Sequence, residues 1–325
     1  MAAAARLRLR PLRHPHRRLC RRPPCPRPAR RPPHPGPYPA GLSAATIRVD
    51  GVERSFLIHM PPSGRPRALV LVLHGGGGNG LNAATQSAQS VFRTVADRAG
   101  FAAVYPSAID GNWNDCRSDA PAVEEQARDT AFLDALIARL QSELGLGAGA
   151  VFMTGHSNGA LMTFRYAFER ADRIAAIATS AGQLPERPEA GLCTTGPQRA
   201  VPALMTMATG DTVLMPYPGG CVADAPLCVR GRVISAVATR DRFLQINALA
   251  GVTPIIRTVE RDTGDGGPAV EHVYAGTAPV IWWRLDGGGH KVPSLSVRQD
   301  ADTAPQNRDI EFAEEAWAFF DQRMR

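Results

Sequence analysis

The segment that most constrains this chain is Ala150–Thr154 followed by Gly155-His156-Ser157-Asn158-Gly159. Ala150–Thr154 is a short apolar run of the length and texture of a strand buried on both faces. Gly159–Phe168 then carries a helical pattern. A chain that passes from buried strand to helix within five residues turns sharply, and its apex residue is held in a strained backbone conformation. The neighbours two positions away must lack bulk, and Gly155 and Gly159 meet that need. Such a turn presents Ser157 at the end of the strand. The helix starting at Asn158 aims free N–H groups and its positive dipole end at the same place.

The rest of the chain supplies the sheet that such a turn needs. Thr46–Val49 and Ser55–Met60 read as strands around a turn at Asp50-Gly51, which predicts an antiparallel start. Ala68–Leu73, Phe101–Tyr105, Ile174–Ala178, Val201–Met207 and Pro279–Leu285 read as further strands. Helical patterns cover Ala84–Ala99, Val123–Leu144, Val233–Leu249 and Asp309–Arg323. Strands alternating with helices predict an α/β fold, with a mostly parallel central sheet and helices on both faces. The stretch 181–232, rich in Gly, Pro and Cys, is expected to form irregular excursions near the site.

A serine hydroxyl is a weak nucleophile until a base, oriented by a carboxylate, takes its proton. Of the eight histidines, only His272 and His290 follow Ser157. His272 falls inside the apolar stretch Val270–Tyr274, the place of a mid-strand residue. His290 follows a strand and the turn Gly287-Gly288-Gly289, at the strand end where open α/β sheets carry their sites. His290 is therefore the predicted general base and acid. The carboxylate is expected at another strand end, and Asp211, after Val201–Met207, is preferred to Asp286, which shares a loop with His290. The developing oxyanion of acyl transfer needs N–H donors. Asn158 N–H is one, and the run His74-Gly75-Gly76-Gly77-Gly78 offers the second, assigned to Gly76 with Gly75 next. A phosphate loop is a poor reading of that run, because Asn79-Gly80-Leu81 follows instead of Lys-Ser/Thr.

Charge excludes a partner class. The formal net charge is +7, but residues 1–40 hold 11 Arg, 11 Pro and no acidic residue, so residues 41–325 carry +7 − 11 = −4. The basic balance belongs to the tail, and no nucleic-acid partner is expected. Residues 1–42 are predicted to be a disordered Arg/Pro-rich tail and 43–325 the catalytic domain. The narrow vocabulary of the tail suggests a misassigned start, and no buried contacts are expected through residue 40. No run of 18 apolar residues exists, so no membrane-spanning helix is expected. Outside the tail stand Cys116, Cys193, Cys221 and Cys228. They are open to three pairings or to four thiols, and Cys221 with Cys228 would close a short loop. Neither a metal site nor a cofactor is expected.

Taken together, several of these pieces resemble a known family. They are Leu73-His74-Gly75-Gly76-Gly77, Trp113-Asn114, Gly155-His156-Ser157-Asn158-Gly159, Gly210-Asp211 with Pro216-Tyr217-Pro218-Gly219-Gly220, and Gly287-Gly288-Gly289-His290. The set is similar to the small polyhydroxybutyrate depolymerase and feruloyl esterase group of carbohydrate esterase family 1. The resemblance implies the α/β-hydrolase fold and a secreted serine esterase. Its substrates would be hydroxyalkanoate oligomers or acyl esters of plant polysaccharide. Trp113 and Tyr217 are candidates to line an acyl pocket, and a packing role is equally open for either. One departure is His290-Lys291-Val292-Pro293-Ser294, where family members often read H-T-W-P-G. The rival readings are a serine peptidase of the same fold and a catalytically silent binding protein.

Overall fold

Leu69, Leu71 and Leu73 point to one side of a sheet and Val70 and Val72 to the other, and all five are fully buried. A strand of this kind needs helices on both faces, and the computed structural model has them. It describes residues 37–117, 128–186, 199–223, 227–300 and 304–324. The predicted tail up to residue 36 lies outside the described residues, as do 123–127 of the expected helix Val123–Leu144.

The strands are β1 (Gly41–Val49), β2 (Val52–Met60), β3 (Leu69–Leu73), β4 (Ala102–Pro106), β5 (Val151–His156), β6 (Ala176–Ser180), β7 (Ala203–Ala208), β8 (Gly220–Cys221), β9 (Arg232–Val233), β10 (Ile255–Val259), β11 (Ala269–Tyr274) and β12 (Val280–Leu285). Ten of them form one sheet in the order β1-β2-β4-β3-β5-β6-β7-β12-β11-β10. The centre, from β4 to β12, is parallel, and both flanks are antiparallel. β8 and β9 make a separate short ribbon, closed by a disulfide between Cys221 and Cys228. Cys116 is also disulfide-bonded.

Helices α1 (Gly80–Thr85), α2 (Val91–Ala99) and α6 (Phe312–Asp321) cover the face that carries Val70, Val72, Phe152 and Trp283. Helices α3 (Asp129–Leu144), α4 (Asn158–Glu169) and α5 (Ala236–Ile246) cover the face of Leu69, Leu71, Met153 and Met205. The C-terminal helix docks through two aromatic stacks, Trp317 on Phe101 and Phe320 on Phe152, with ring centroids 4.3 and 4.7 Å apart. Each such burial stabilises by about 1.5–3 kcal/mol. Among the described residues no helix is long and apolar enough to cross a membrane.

Three sequence expectations shift here. The helix read over Ala84–Ala99 is broken: α1 ends at Thr85, and Ser87 caps a short 3-10 turn through its hydroxyl before α2 begins. The edge strand β10 was not anticipated, because Ile255–Val259 is mostly exposed and lacks a buried face to give it a period. The chain also enters the fold earlier than residue 43. β1 starts at Gly41, and Tyr38 is buried against the face that α3 covers, its hydroxyl donating to Glu143 at 2.7 Å. Truncation through residue 40 is therefore expected to lower the melting temperature by several degrees, a shift of roughly 1–3 kcal/mol from lost burial and one hydrogen bond. A thermal melt of the shortened chain checks this.

Candidate active site

Four strand ends meet at one edge of the parallel sheet. β5 delivers Ser157, whose backbone sits at φ 55° and ψ −124°. That region costs of order 1–3 kcal/mol, and it persists only where packing overdetermines it. Packing does so here. A Cβ on Gly155 would lie 2.2 Å from the Gly159 carbonyl oxygen, and one on Gly159 would lie 2.4 Å from that of His74. Strand, turn, helix and the loop after β3 are thus in backbone contact.

β7 and β12 deliver the two partners. Their loops are stitched by Gly210 N–H to the Gly288 carbonyl and Gly287 N–H to the Thr209 hydroxyl, at 2.9 and 2.8 Å. A Cβ on Gly210 would come within 2.6 Å of the Gly287 carbonyl oxygen, so this close approach requires glycine. The stitching holds Asp211 behind His290. Nδ1 of His290 is 2.5 Å from Oδ2 of Asp211, and Nε2 is 2.8 Å from Oγ of Ser157. The other Asp211 oxygen accepts the Met215 N–H at 2.9 Å. Asp211 and His290 are both buried. Asp286 pairs with Arg284, and His272 lies on β11 against Trp282, so neither joins this row.

The loop after β3 brings its glycines over the serine. Among the described residues, the N–H groups of Gly76 and Asn158 have no hydrogen-bond acceptor. The orientation of the Gly75–Gly76 peptide is fixed from behind. Its carbonyl, on Gly75, accepts from His74 Nδ1 at 2.7 Å and from Gly78 N–H at 3.1 Å. The Gly76 N–H on the same planar unit must then point the opposite way. His74 Nε2 in turn accepts the Ala108 N–H at 3.0 Å. The two bonds require the neutral tautomer with its proton on Nδ1, and burial lowers the pKa of His74 in the same sense.

Two outcomes follow. His74→Leu, which removes both ring hydrogen bonds, is expected to lower kcat about 10-fold with little change in KM, because only one donor loses its aim; steady-state kinetics separate the two. The second concerns pH. A histidine whose folded pKa lies below the unfolded value binds fewer protons when folded. Stability therefore falls as pH drops through about 6.5 and levels off below the folded pKa. His272, also lowered by burial, acts with the same sign. Urea midpoints between neutral and mildly acid pH should show this decline, smaller in His74→Leu.

The cleft over Ser157 encloses about 440 Å³. Gly75, Gly76, Gly77 and Asn112 form one wall; Leu214, Met215 and Val222 form an apolar one; Arg117, Arg230 and Lys291 also face it. Trp113 and Tyr217 do not line it, which corrects the sequence expectation. Trp113 is fully buried, its indole N–H donating to the His74 carbonyl at 3.0 Å, so it supports the glycine loop from below. Tyr217 is half-buried behind Asp211, whose carbonyl accepts its N–H at 2.8 Å. Sequence reasoning missed Asn112, Arg117 and Arg230. Trp113-Asn114 marked the loop of Asn112 and Arg117, and the stretch 181–232 held Arg230, but nothing in either pattern separates inward from outward residues.

A ten-stranded sheet, parallel at its centre, helices on both faces and a serine on the turn after the fifth strand define the α/β-hydrolase fold. Comparison with known proteins agrees. No protein-family model matches the chain. Two curated relatives do: NocK of Nocardia uniformis subsp. tsuyamanensis, a protein named as an esterase, is 30% identical over 215 residues, 63% of this chain. Feruloyl esterase D of Neurospora crassa is 24% identical over 218 residues, 67% of this chain. The chain spans 60% of the length of each. Among solved structures, an acetyl xylan esterase from Aspergillus awamori superposes with a TM-score of 0.54 at 15% identity, over 78% of this chain and 95% of that one. An S-formylglutathione hydrolase from Agrobacterium tumefaciens gives 0.51 at 13% identity, over 87% and 95%. At such identities the structures speak for the fold alone. The names of the curated relatives agree with the esterase group that the sequence motifs resemble.

Proposed function

We propose that the chain is a serine hydrolase of carboxylic esters that works without a cofactor. The observation that carries this reading is the hydrogen-bonded row Asp211–His290–Ser157, opening on a cleft beside two backbone N–H groups that have no acceptor among the described residues. In the proposed cycle Ser157 Oγ bonds to the acyl carbon while its proton passes to His290 Nε2. The carbonyl electron pair moves onto oxygen, and the N–H groups of Gly76 and Asn158 donate to it. The intermediate collapses, the carbon–alkoxy bond breaks, and the leaving alcohol takes the proton from His290. Water then gives a proton to His290 and attacks the acyl-enzyme. A second collapse releases the acid and returns the proton to Ser157. Asp211 keeps Nδ1–H pointed at itself and stabilises the imidazolium.

The substrate class follows from resemblance and from the names of relatives. Feruloyl or acetyl esters of polysaccharide, or hydroxyalkanoate oligomers, are the candidates, and a secreted enzyme fits them. The catalytic domain in this reading is 43–325, extended back to include Tyr38. The test is hydrolysis of short 4-nitrophenyl esters, hydroxybutyrate oligomers, methyl ferulate and acetylated xylan by the purified chain. Turnover of at least one, blocked by a fluorophosphonate, is expected. Inertness to all of them, with no labelling, overturns the reading.

A further inference from the structure

Arg117 is buried, yet its side chain lines the cleft of Ser157. A guanidinium is kept in such a place only if it is paired, and Asp115 pairs it. Nε is 3.0 and 3.1 Å from the two Asp115 oxygens, and Nη2 is 2.7 Å from Oδ2. Nη1 donates to the Arg230 carbonyl at 2.7 Å. Each η nitrogen carries two N–H groups, so each retains one beyond these bonds. Asp115 is turned away from solvent, 1% exposed, and also accepts from the Asn158 side chain at 2.6 Å. The pair therefore offers the cleft its cationic end and hides its anionic one. Arg230, on the adjoining segment, also lines the cleft; it is exposed and makes no ion pair among the described residues. No carboxylate is among the described residues lining this cavity.

A planar fork fixed in position beside a second, exposed guanidinium is the arrangement that recognises a carboxylate. A neutral acyl group would need neither charge, and the apolar wall of Leu214, Met215 and Val222 would serve it. We propose that this cleft takes esters that also carry a free carboxylate, with Arg117 and Arg230 as the groups that bind it. The inference rests on the reading of Ser157 as an ester-hydrolysing nucleophile and names the substrate class of that site. A hydroxy-acid oligomer with a free acid end, or an ester of an acidic sugar, has this chemistry.

Three 4-nitrophenyl esters of equal chain length test it: the hexanoate, the adipate with its free carboxylate, and the adipamate, in which an amide replaces that carboxylate at the same size. Wild-type kcat/KM for the adipate is expected to exceed that for the adipamate by about 10-fold at low salt, the worth of one charge-assisted contact. The preference should shrink at about 0.5 M salt. Arg230→Gln is expected to bring the adipate-to-adipamate ratio of kcat/KM down to near one. Arg117→Gln should do the same, but that change strips Asp115 of its partner, so the exposed Arg230 is the decisive position. An adipate no better than the adipamate in the wild type, or a preference that survives Arg230→Gln, overturns the proposal and leaves the esterase reading standing. If none of the three is hydrolysed and Ser157 takes no fluorophosphonate, the esterase reading fails and this proposal falls with it.

Discussion

Ser157→Ala is expected to cut ester turnover by about 10⁵–10⁶ and to abolish labelling by a fluorophosphonate, while the fold stays intact. The size of the loss follows from what the serine does in the proposed cycle. Without Oγ no covalent acyl-enzyme forms, and His290 has no proton to take from it. What remains is the pair of backbone donors and the cleft, which bind an ester but cannot open a two-step path. The fold survives for a different reason. Ser157 sits at φ 55° because Gly155, Gly159 and the loop after β3 press the backbone into that shape, and its hydroxyl takes no part. Alanine tolerates that dihedral about as well as serine does. The melting temperature should therefore move by no more than a few degrees. Persistent labelling in Ser157→Ala would place the nucleophile elsewhere.

The elbow was legible in the sequence because its requirement is local. A buried strand, two glycines at fixed offsets and a helix follow from backbone sterics, and no distant contact is needed to see them. The strand ends that carry Asp211 and His290 were legible for a related reason. A parallel sheet buried on both faces writes continuous apolar runs, and whatever follows such a run lies at the same edge of the sheet. Legibility stops where position depends on packing between loops. Trp113 could be read as a wall of the cleft or as its support, and only the hydrogen bond to the His74 carbonyl separates the two. Arg117 lies two residues past Asp115, an unremarkable spacing. Its place beside Ser157 comes from Asn158, whose side chain grips the Trp113 backbone and the Asp115 carboxylate. That bracing joins residues 45 and 43 positions apart in the chain, beyond any local period. Tyr38 was hidden in the same way, since its partner Glu143 lies across the fold on α3.

His290→Ala is expected to lower kcat by about 10⁵–10⁶, close to the loss in Ser157→Ala, because in the proposed cycle base and nucleophile act as a unit. Asp211→Asn is the more discriminating change and should cost about 10⁴. The reason lies in which atom faces which. The Asp211 oxygen that meets Met215 N–H can be replaced by the amide oxygen, so the loop keeps its shape. The amide nitrogen then faces His290 Nδ1, and two donors cannot meet. The ring responds by moving its proton to Nε2, the atom that must accept from Ser157. Binding of the ester is untouched, so KM should change far less than kcat. Asp286→Asn weakens only the pairing with Arg284 and should reduce kcat less than about 3-fold. His272→Gln, on a flanking strand against Trp282, should leave it near the wild-type value. All four variants can be ranked at saturating ester in one assay. An Asp286→Asn enzyme slower than Asp211→Asn would mean that the working carboxylate comes from the loop of β12 itself. The stitching of Gly210 to Gly288 would then be a structural contact with no part in turnover.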